Sequence, residues 1–243
     1  VVLVIAGILT IPRLMHNNSD ESGRVYRYHV SGAESNRIWP WEYLTDGEKY
    51  HTISLDNVTY SIRNCRTIGD EFLGETISDA EAFGTDDITG KKYTATFEVR
   101  RIKGIAQEYM VAAGNNQGFY VYMVSDFKNP ATVGELLENY NLRQNMRLDH
   151  FSENTGDDEN SDYSIEDDSY IWDVLTGCSD AKLCQDDVFN KDGTGYIAFC
   201  VSSEALGVYK KVIYISESGY LETNILDYGY TYYIGEKTAL EII

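Results

Sequence analysis

Cysteine and histidine are both scarce in this chain, each occurring four times among 243 residues. Cys65, Cys178, Cys184 and Cys200 are too few and too irregularly spaced for a disulfide scaffold. Cys178 and Cys184 could form one bridge in an oxidising compartment, whereas a zinc site would need a closer cysteine pair and further ligands. The sequence therefore leaves three alternatives open: thiols, one disulfide or a metal site.

The common catalytic motifs are also absent from the sequence. It contains no His-Glu-x-x-His, no Gly-x-Ser-x-Gly, no phosphate-binding loop and no glycine-rich dinucleotide fingerprint. His29, His51 and His150 each lack a nucleophile or metal partner at a recognised spacing. The sequence therefore favours a non-catalytic domain over an enzyme, and predicts no cofactor other than calcium, discussed below.

Positive charge is in short supply. Twenty lysines and arginines stand against 39 aspartates and glutamates, which gives a net charge of −19. Phosphates would be repelled by such a surface, so nucleic acids and anionic lipid surfaces are poor partners. The charge favours a solvated surface, cation binding or a basic partner.

The chain opens on an apolar run, residues 1–11, followed by Pro12 and Arg13. The run is shorter than the roughly 20 residues that span a bilayer. Because the first residue is not methionine, we expect further residues upstream. The prediction is the tail of a transmembrane anchor over residues 1–15 and a polar linker over 16–37. A signal or lipoprotein-like segment and a buried core strand are the alternatives.

Residues 93–124 give the clearest structural signal. Alternation of apolar and polar residues predicts strands over 93–101, 108–113 and 119–124, joined as a meander. In the third strand, Phe119, Val121 and Met123 share one face, and Tyr120 and Tyr122 the other. The predicted fold class is therefore α+β, with predominantly antiparallel sheet and a few short helices, following an N-terminal apolar anchor.

The rest of the chain divides around this meander. We predict an α+β block over 38–150, an acidic loop over 151–167 and a second β-rich block over 168–243. In the first block, a strand over 68–77 is expected to give way to a polar loop over 79–90. Thr132 to Glu135 matches a capping box that starts a helix. Further strands are predicted over 51–55, 59–63, 196–201, 208–215, 220–225 and 230–234, and helices over 168–175 and 237–243.

Four aromatic residues are candidate ligand contacts. Trp39 and Trp41 flank Pro40 and could form a stacking platform, the alternative being a hydrophobic plug at a domain edge. Tyr120 and Tyr122 join them as candidates, because tyrosine suits surfaces that bind sugars or peptides as well as half-buried sheet faces.

The acidic segment supplies a candidate metal site. Residues 151–187 hold twelve acidic residues and one lysine, which contributes −11 (1 − 12) to the net charge. Asp158, Asn160 and Asp162 follow the spacing that opens a calcium loop, but Tyr163 replaces the glycine at its sixth position and Ser169 the glutamate at its twelfth. A solvated loop without metal is the alternative.

Two stretches resemble a known group of proteins. Residues 98–105 leading to 119–122, and residues 218–227 leading to 233–235, resemble extracytoplasmic regions of Firmicute membrane proteins. Some of these regions are fused behind antirepressor-type membrane zinc peptidases, the class that includes beta-lactam sensor-transducers. The resemblance covers most of residues 50–243 and implies a sensor or accessory ectodomain behind a membrane anchor. The peptidase motif and a Ser-x-x-Lys acylation motif are not in the sequence, so no catalytic residue is carried over.

These observations predict a non-catalytic, membrane-anchored domain on the extracytoplasmic side, as a single-pass or C-terminal ectodomain. It would bind an unidentified ligand or cell-envelope partner and reach the membrane through its N-terminal segment. One alternative is a secreted or surface hydrolase with an Asp/Glu pair in a tyrosine-lined cleft. Another is a structural or adhesive surface module.

Overall fold

The first six strands close into an antiparallel barrel. The computed structural model describes residues 39–154, 161–184 and 195–243. The barrel strands are β1 (Thr52–Leu55), β2 (Val58–Ile68), β3 (Leu73–Thr85), β4 (Lys92–Ile102), β5 (Met110–Asn115) and β6 (Gly118–Val124). Their order is β1-β2-β6-β5-β4-β3, and pairing of β1 with β3 closes the ring. The predicted meander over 93–124 is confirmed as β4, β5 and β6.

Strands β5 and β6 are buried on both faces. Tyr120 and Tyr122 point into the barrel with Val111, as the alternation in β6 predicts. Val121 and Met123 point outward and are also buried. The outer side of the barrel is therefore an internal surface of the protein here.

The next six strands form a second antiparallel sheet. They are β7 (Arg147–Asn154), β8 (Ser161–Ser164), β9 (Tyr196–Ser203), β10 (Val208–Ser216), β11 (Tyr220–Thr223) and β12 (Tyr230–Tyr233). Their order is β12-β11-β10-β9-β7-β8. The predicted fold class, mainly antiparallel sheet with a few short helices, is confirmed for the described residues.

One hydrophobic core joins the helices, the sheet and the barrel wall. The helices are α1 (Asp46–Lys49), α2 (Val133–Asn139), α3 (Leu142–Asn145), α4 (Ser169–Gly177) and α5 (Glu236–Ile242). Leu136 of α2, Trp172 of α4 and Ala239 of α5 belong to the same buried cluster as Phe199 of the sheet and Val121 of the barrel. Burial of this continuous apolar surface is the main force holding the two β-structures together.

Helix α2 begins where the capping pattern predicts. The Glu135 amide donates to the Thr132 hydroxyl at 3.1 Å, which satisfies one of the open donors of the first turn. The Glu135 carboxylate accepts instead from the Ala131 amide at 2.8 Å, one residue before the position that a full capping box requires.

The predicted polar loop over 79–90 is wrong for its first half. Strand β3 continues to Thr85 and pairs with β4 on one side and β1 on the other. Its inward positions are taken by the small residues Ala80 and Ala82, while Asp79 and Glu81 face solvent. Because no large apolar residue marks the inner face, the segment has the composition of a loop.

The predicted loop over 151–167 is wrong for residues 151–154 and 161–164, whereas residues 165–167 lie in no strand or helix. It contains the end of β7 and the whole of β8, which pair antiparallel. The rings of Phe151 and Tyr163 stack across the two strands at 5.0 Å between centroids. Backbone pairing and this cross-strand contact stabilise the two strands. The acidic composition of the segment predicts a loop instead.

The predicted anchor and linker, residues 1–37, lie outside the described residues. Across the part of the chain that the structure describes, no helix combines the length and apolarity needed to cross a membrane.

A buried ion pair links the barrel to the sheet. The Arg63 side chain on β2 is 2% exposed, and its Nη1 lies 3.2 Å from Oδ2 of Asp227, in the connection between β11 and β12. Arg63 Nη2 donates to the Ile225 carbonyl at 2.7 Å. Lys211 Nζ lies 3.0 Å from the other carboxylate oxygen of Asp227. One carboxylate therefore bridges two largely desolvated cations, and such groups are stable in low dielectric only when paired.

An irregularity in β2 makes this contact possible. The register between β2 and β6 shifts between Ile62 and Thr67, so the residues between them leave the ladder. Asn64 donates to the Gly207 carbonyl at 2.8 Å, and the Arg66 guanidinium lies 4.4 Å from the centre of the Tyr209 ring. A β-bulge redirects side chains in this way, and here it turns polar side chains toward the sheet.

We expect Arg63→Ala to lower the free energy of unfolding by about 1–3 kcal/mol, because it removes the donor to the buried Ile225 carbonyl, while Asp227 keeps Lys211. Urea unfolding measures the loss. The matched control is Arg101→Ala, whose ion pair with Glu75 is exposed at both ends, and we expect it to cost less than about 1 kcal/mol. An equally small loss in Arg63→Ala would contradict the structural role of the junction.

A second prediction concerns two fully buried tyrosines. The Tyr140 hydroxyl has no hydrogen-bond partner among the described residues, whereas the Tyr122 hydroxyl donates to the Tyr50 carbonyl at 2.7 Å. At pH 7 we expect Tyr140→Phe to leave the unfolding free energy unchanged or raise it by about 1 kcal/mol, and Tyr122→Phe to lower it by about 1 kcal/mol.

Alkaline pH gives a second test of the burial of Tyr140. Burial raises the pKa of Tyr140 to about 12 from its ordinary 10.0, against the opposing effect of Arg63. The folded state thus favours the neutral phenol. The resulting contribution to the free energy of unfolding is fully present below pH 10 and is lost as the pH rises through about 12. Unfolding measured from pH 9 to 12 should therefore show a smaller loss in Tyr140→Phe than in the parent protein. An identical loss would show that Tyr140 is not buried as described.

Candidate functional site

Residues 39–50 cover one end of the barrel, which we call the capped end. The Asn115 amide donates to Asp46 of α1 at 2.6 Å, and the Tyr122 hydroxyl reaches the Tyr50 carbonyl. Gly47 lies so close to Tyr120 that a Cβ there would be 2.5 Å from its ring. The β3–β4 and β5–β6 turns lie at this same end.

The two candidate tryptophans have different environments. Trp41 is 9% exposed, and its ring stacks on Tyr93 at 4.4 Å and meets the edge of Tyr50 at 5.7 Å. Trp39, two residues earlier, is 59% exposed. Trp41 therefore acts as the plug of the capped end, and Trp39 alone of the pair offers an accessible ring.

The two candidate tyrosines fill the barrel interior. Tyr120 is 4% exposed and Tyr122 is fully buried. Burial is the largest cause that raises the pKa of each phenol. The structure thus does not bring Tyr120, Tyr122 and Trp39 to a common surface.

The candidate calcium ligands are only partly within the described residues. Asp158 and Asn160 lie outside them, and Asp162 lies in β8, where its backbone pairs with Ser152. Over residues 39–154, 161–184 and 195–243, no group of three or more His, Cys, Asp or Glu is arranged to hold a metal ion. Calcium binding by the acidic segment stays a prediction.

The four cysteines all lie in the described residues, and no disulfide links them. The predicted alternative of a Cys178–Cys184 bridge is therefore wrong for this structure. Burial raises the pKa of both thiols, which favours the protonated, less reactive form.

The second sheet presents an aromatic surface that the sequence did not single out. We define the tyrosine face as Tyr196, Tyr214, Tyr220 and Tyr233, one from each of β9 to β12. The chain neighbours Ile197, Ile215, Leu221 and Tyr232 point the opposite way into the core. Because strand side chains alternate between faces, the four tyrosines share the other side of the sheet. They are half-buried, apart from the exposed Tyr233.

The tyrosine face consists of two ring pairs. Tyr196 and Tyr214 meet edge to face at 5.6 Å between centroids, and Tyr220 and Tyr233 are tilted at 5.1 Å. Both are separations at which aromatic rings attract each other, so each pair fixes the orientation of its members.

A carboxylate lies among these rings. Glu222 of β11 is in register with Tyr214 on one neighbouring strand and with Thr231 on the other. Burial raises the pKa of Tyr214 most, followed by the charges of Tyr196 and Glu222. The Tyr214 phenol therefore remains protonated at neutral pH.

This combination of groups is suited to binding a ligand. Tyrosine rings offer flat faces to a sugar or to a cationic group, and the hydroxyls add donors and acceptors. Glu222 adds negative charge, and one oxygen of its carboxylate, Oε2, is buried. An ammonium or guanidinium group would gain from both the rings and the charge.

The carboxyl groups with a shifted pKa do not match the acid of a hydrolase. Such an acid needs a raised pKa to hold its proton. Three carboxyl groups have a pKa held below its usual range, chiefly because a side-chain hydroxyl donates to each. These pairs are Asp86 with Thr89, Glu98 with Thr76, and Asp167 with Ser169.

The sequence separates the two sets of tyrosines only in part. Tyr120 and Tyr122 lie in an unbroken apolar run with Val121 and Met123, which is typical of a strand buried on both faces. Residues 196–201 of β9 form a similar apolar run, so the sequence does not distinguish Tyr196 from a buried tyrosine. In β11, the charged Glu222 shares a face with Tyr220, which is typical of a strand face that is not fully buried.

Comparison with models of known protein families, with curated proteins and with solved structures gives no match for this chain. What the fold itself defines is a closed six-stranded barrel joined through one core to a helix-packed antiparallel sheet.

Proposed function

We propose that this chain is a non-catalytic binding domain, anchored in the membrane on the extracytoplasmic side, that serves as a sensor or accessory module. Its ligand or partner binds the tyrosine face. The observation that carries the proposal is the pairing of four half-buried or exposed tyrosines with Glu222 on one side of the sheet.

The chemistry of the face favours a cationic partner. Glu222 supplies negative charge among rings whose faces attract cations. The chain as a whole carries −19, so a basic segment would be drawn toward it at long range. A lysine- or arginine-bearing peptide of the cell envelope satisfies both conditions.

The location rests on the sequence. The apolar residues 1–11 and the polar residues 16–37 support an anchor and linker ahead of the barrel. The resemblance of residues 98–122 and 218–235 to Firmicute ectodomains supports the same topology and stays a prediction.

The ligand prediction is tested with short lysine- and arginine-containing peptides and with neutral oligosaccharides. We expect a basic peptide to bind, and Tyr214→Ala or Tyr233→Ala to weaken that binding about 2- to 30-fold, as loss of a ring–cation contact of about 0.5–2 kcal/mol implies. Titration calorimetry measures the dissociation constants.

The control variant is Tyr170→Ala, because Tyr170 on α4 is 59% exposed and lies outside the tyrosine face. It should bind like the parent protein. Equal binding by all variants would mean that the peptides sense only the net charge, and binding of oligosaccharides alone would contradict a cationic partner.

The location is tested by expressing the full reading frame with a C-terminal alkaline phosphatase, an enzyme active only after export. We expect phosphatase activity in intact cells. An inactive phosphatase, together with an active cytoplasmic reporter at the same position, would rule out an extracytoplasmic domain and leave the tyrosine face to be tested by itself.

A further inference from the structure

Exposed apolar side chains share the capped end of the barrel. Trp39 is 59% exposed, Tyr43 76% and Ile88 55%. Trp39 and Tyr43 flank the plug residue Trp41, and Ile88 lies in the β3–β4 turn at the same end. Two aromatic residues and an isoleucine thus project from the end of the barrel that Trp41 has already closed.

The turn that carries Ile88 is fixed by Asp86. The Ile88 amide donates to Asp86 Oδ1 at 2.9 Å, and the Thr89 hydroxyl donates to Oδ2 at 2.5 Å. These bonds, that from Thr89 first, hold the pKa of Asp86 below its usual range. The turn is therefore held by polar contacts, and the exposed Ile88 side chain is not needed to stabilise it.

The capped end carries a small net charge. Residues 39–50 and 86–92 carry five carboxylates and three lysines, which amounts to −2 of the total −19. Two of the carboxylates are bonded within the cap: Asp46 accepts from Asn115, and Glu48 accepts from the Thr45 amide at 2.8 Å. A neutral surface would therefore meet a net charge of only −2 at this end.

We propose that the capped end rests on the membrane surface, with Trp39, Tyr43 and Ile88 in the interfacial layer of a neutral lipid bilayer. Trp and Tyr favour this layer because their rings are apolar and their polar atoms remain in water. The inference rests on the proposed anchor, since the 27 residues between the apolar run and Trp39 join the domain at this end. The net charge of −19 selects neutral over anionic headgroups.

The orientation that follows is specific. The capped end of the barrel would face the bilayer. The tyrosine face would lie on the second sheet, which packs against the barrel wall. Trp39 would then lie at the depth of the headgroups, whereas Trp41, the plug residue, remains buried.

The test uses the protein of the full reading frame, which supplies the complete proposed anchor, and phosphatidylcholine vesicles with or without bromine on the acyl chains, since bromine quenches tryptophan emission at contact. The chain has three tryptophans, at 39, 41 and 172. We expect brominated lipid to quench the parent protein, and Trp39→Phe to remove most of that quenching. Tyr43→Ser and Ile88→Ser should reduce it, whereas Tyr170→Ser, at an equally exposed aromatic position on α4, should not.

The outcomes distinguish this inference from the proposed anchor. If the chain floats with the vesicles but brominated lipid does not quench Trp39, the anchor holds and the capped end stands away from the bilayer, which overturns the inference. If the chain does not float with the vesicles, both proposals fail. Stronger quenching by brominated phosphatidylglycerol vesicles than by brominated phosphatidylcholine vesicles would overturn the choice of neutral lipid.

Discussion

The ion pair between Arg63 and Asp227 is the contact on which the arrangement of this protein depends. It is made where the β2 bulge leaves the barrel and meets the connection between β11 and β12. A guanidinium that is 2% exposed cannot be left without its partner, so alternative dockings of barrel and sheet that separate the two groups are strongly disfavoured. Apolar burial supplies most of the stability, and the ion pair selects one arrangement among those that burial would allow.

A fixed arrangement gives the two outer surfaces a definite relation. The tyrosine face lies on the side of the sheet opposite the shared core, and the capped end closes the barrel. Neither surface adds to the core: Tyr233 and Trp39 are both largely exposed. Exposed side chains of this kind contribute little to folding, and this is why binding is proposed for the first surface and membrane contact for the second.

The sequence predicted those elements whose side chains alternate in size as well as polarity. Strands β4 and β6 and the N-terminus of α2 were recognisable because Phe97, Tyr122 and Thr132 mark one face or one end. The second half of β3 was not, since Ala80 and Ala82 are too small to mark an inner face. Strand β8 was hidden by its acidic composition. The role of Arg63 was beyond prediction, because its partner Asp227 is 164 residues away and is brought near only by the fold.

The most direct test is native-state hydrogen exchange measured across the described strands. If the junction joins barrel and sheet into one unit, the slowest amides of β5 and β6 and those of β9 and β10 should exchange with the same free energy of opening, equal to that of global unfolding. A sheet that opened at a clearly lower free energy than the barrel would show two independent units. That result would contradict the account of a single core locked by Arg63.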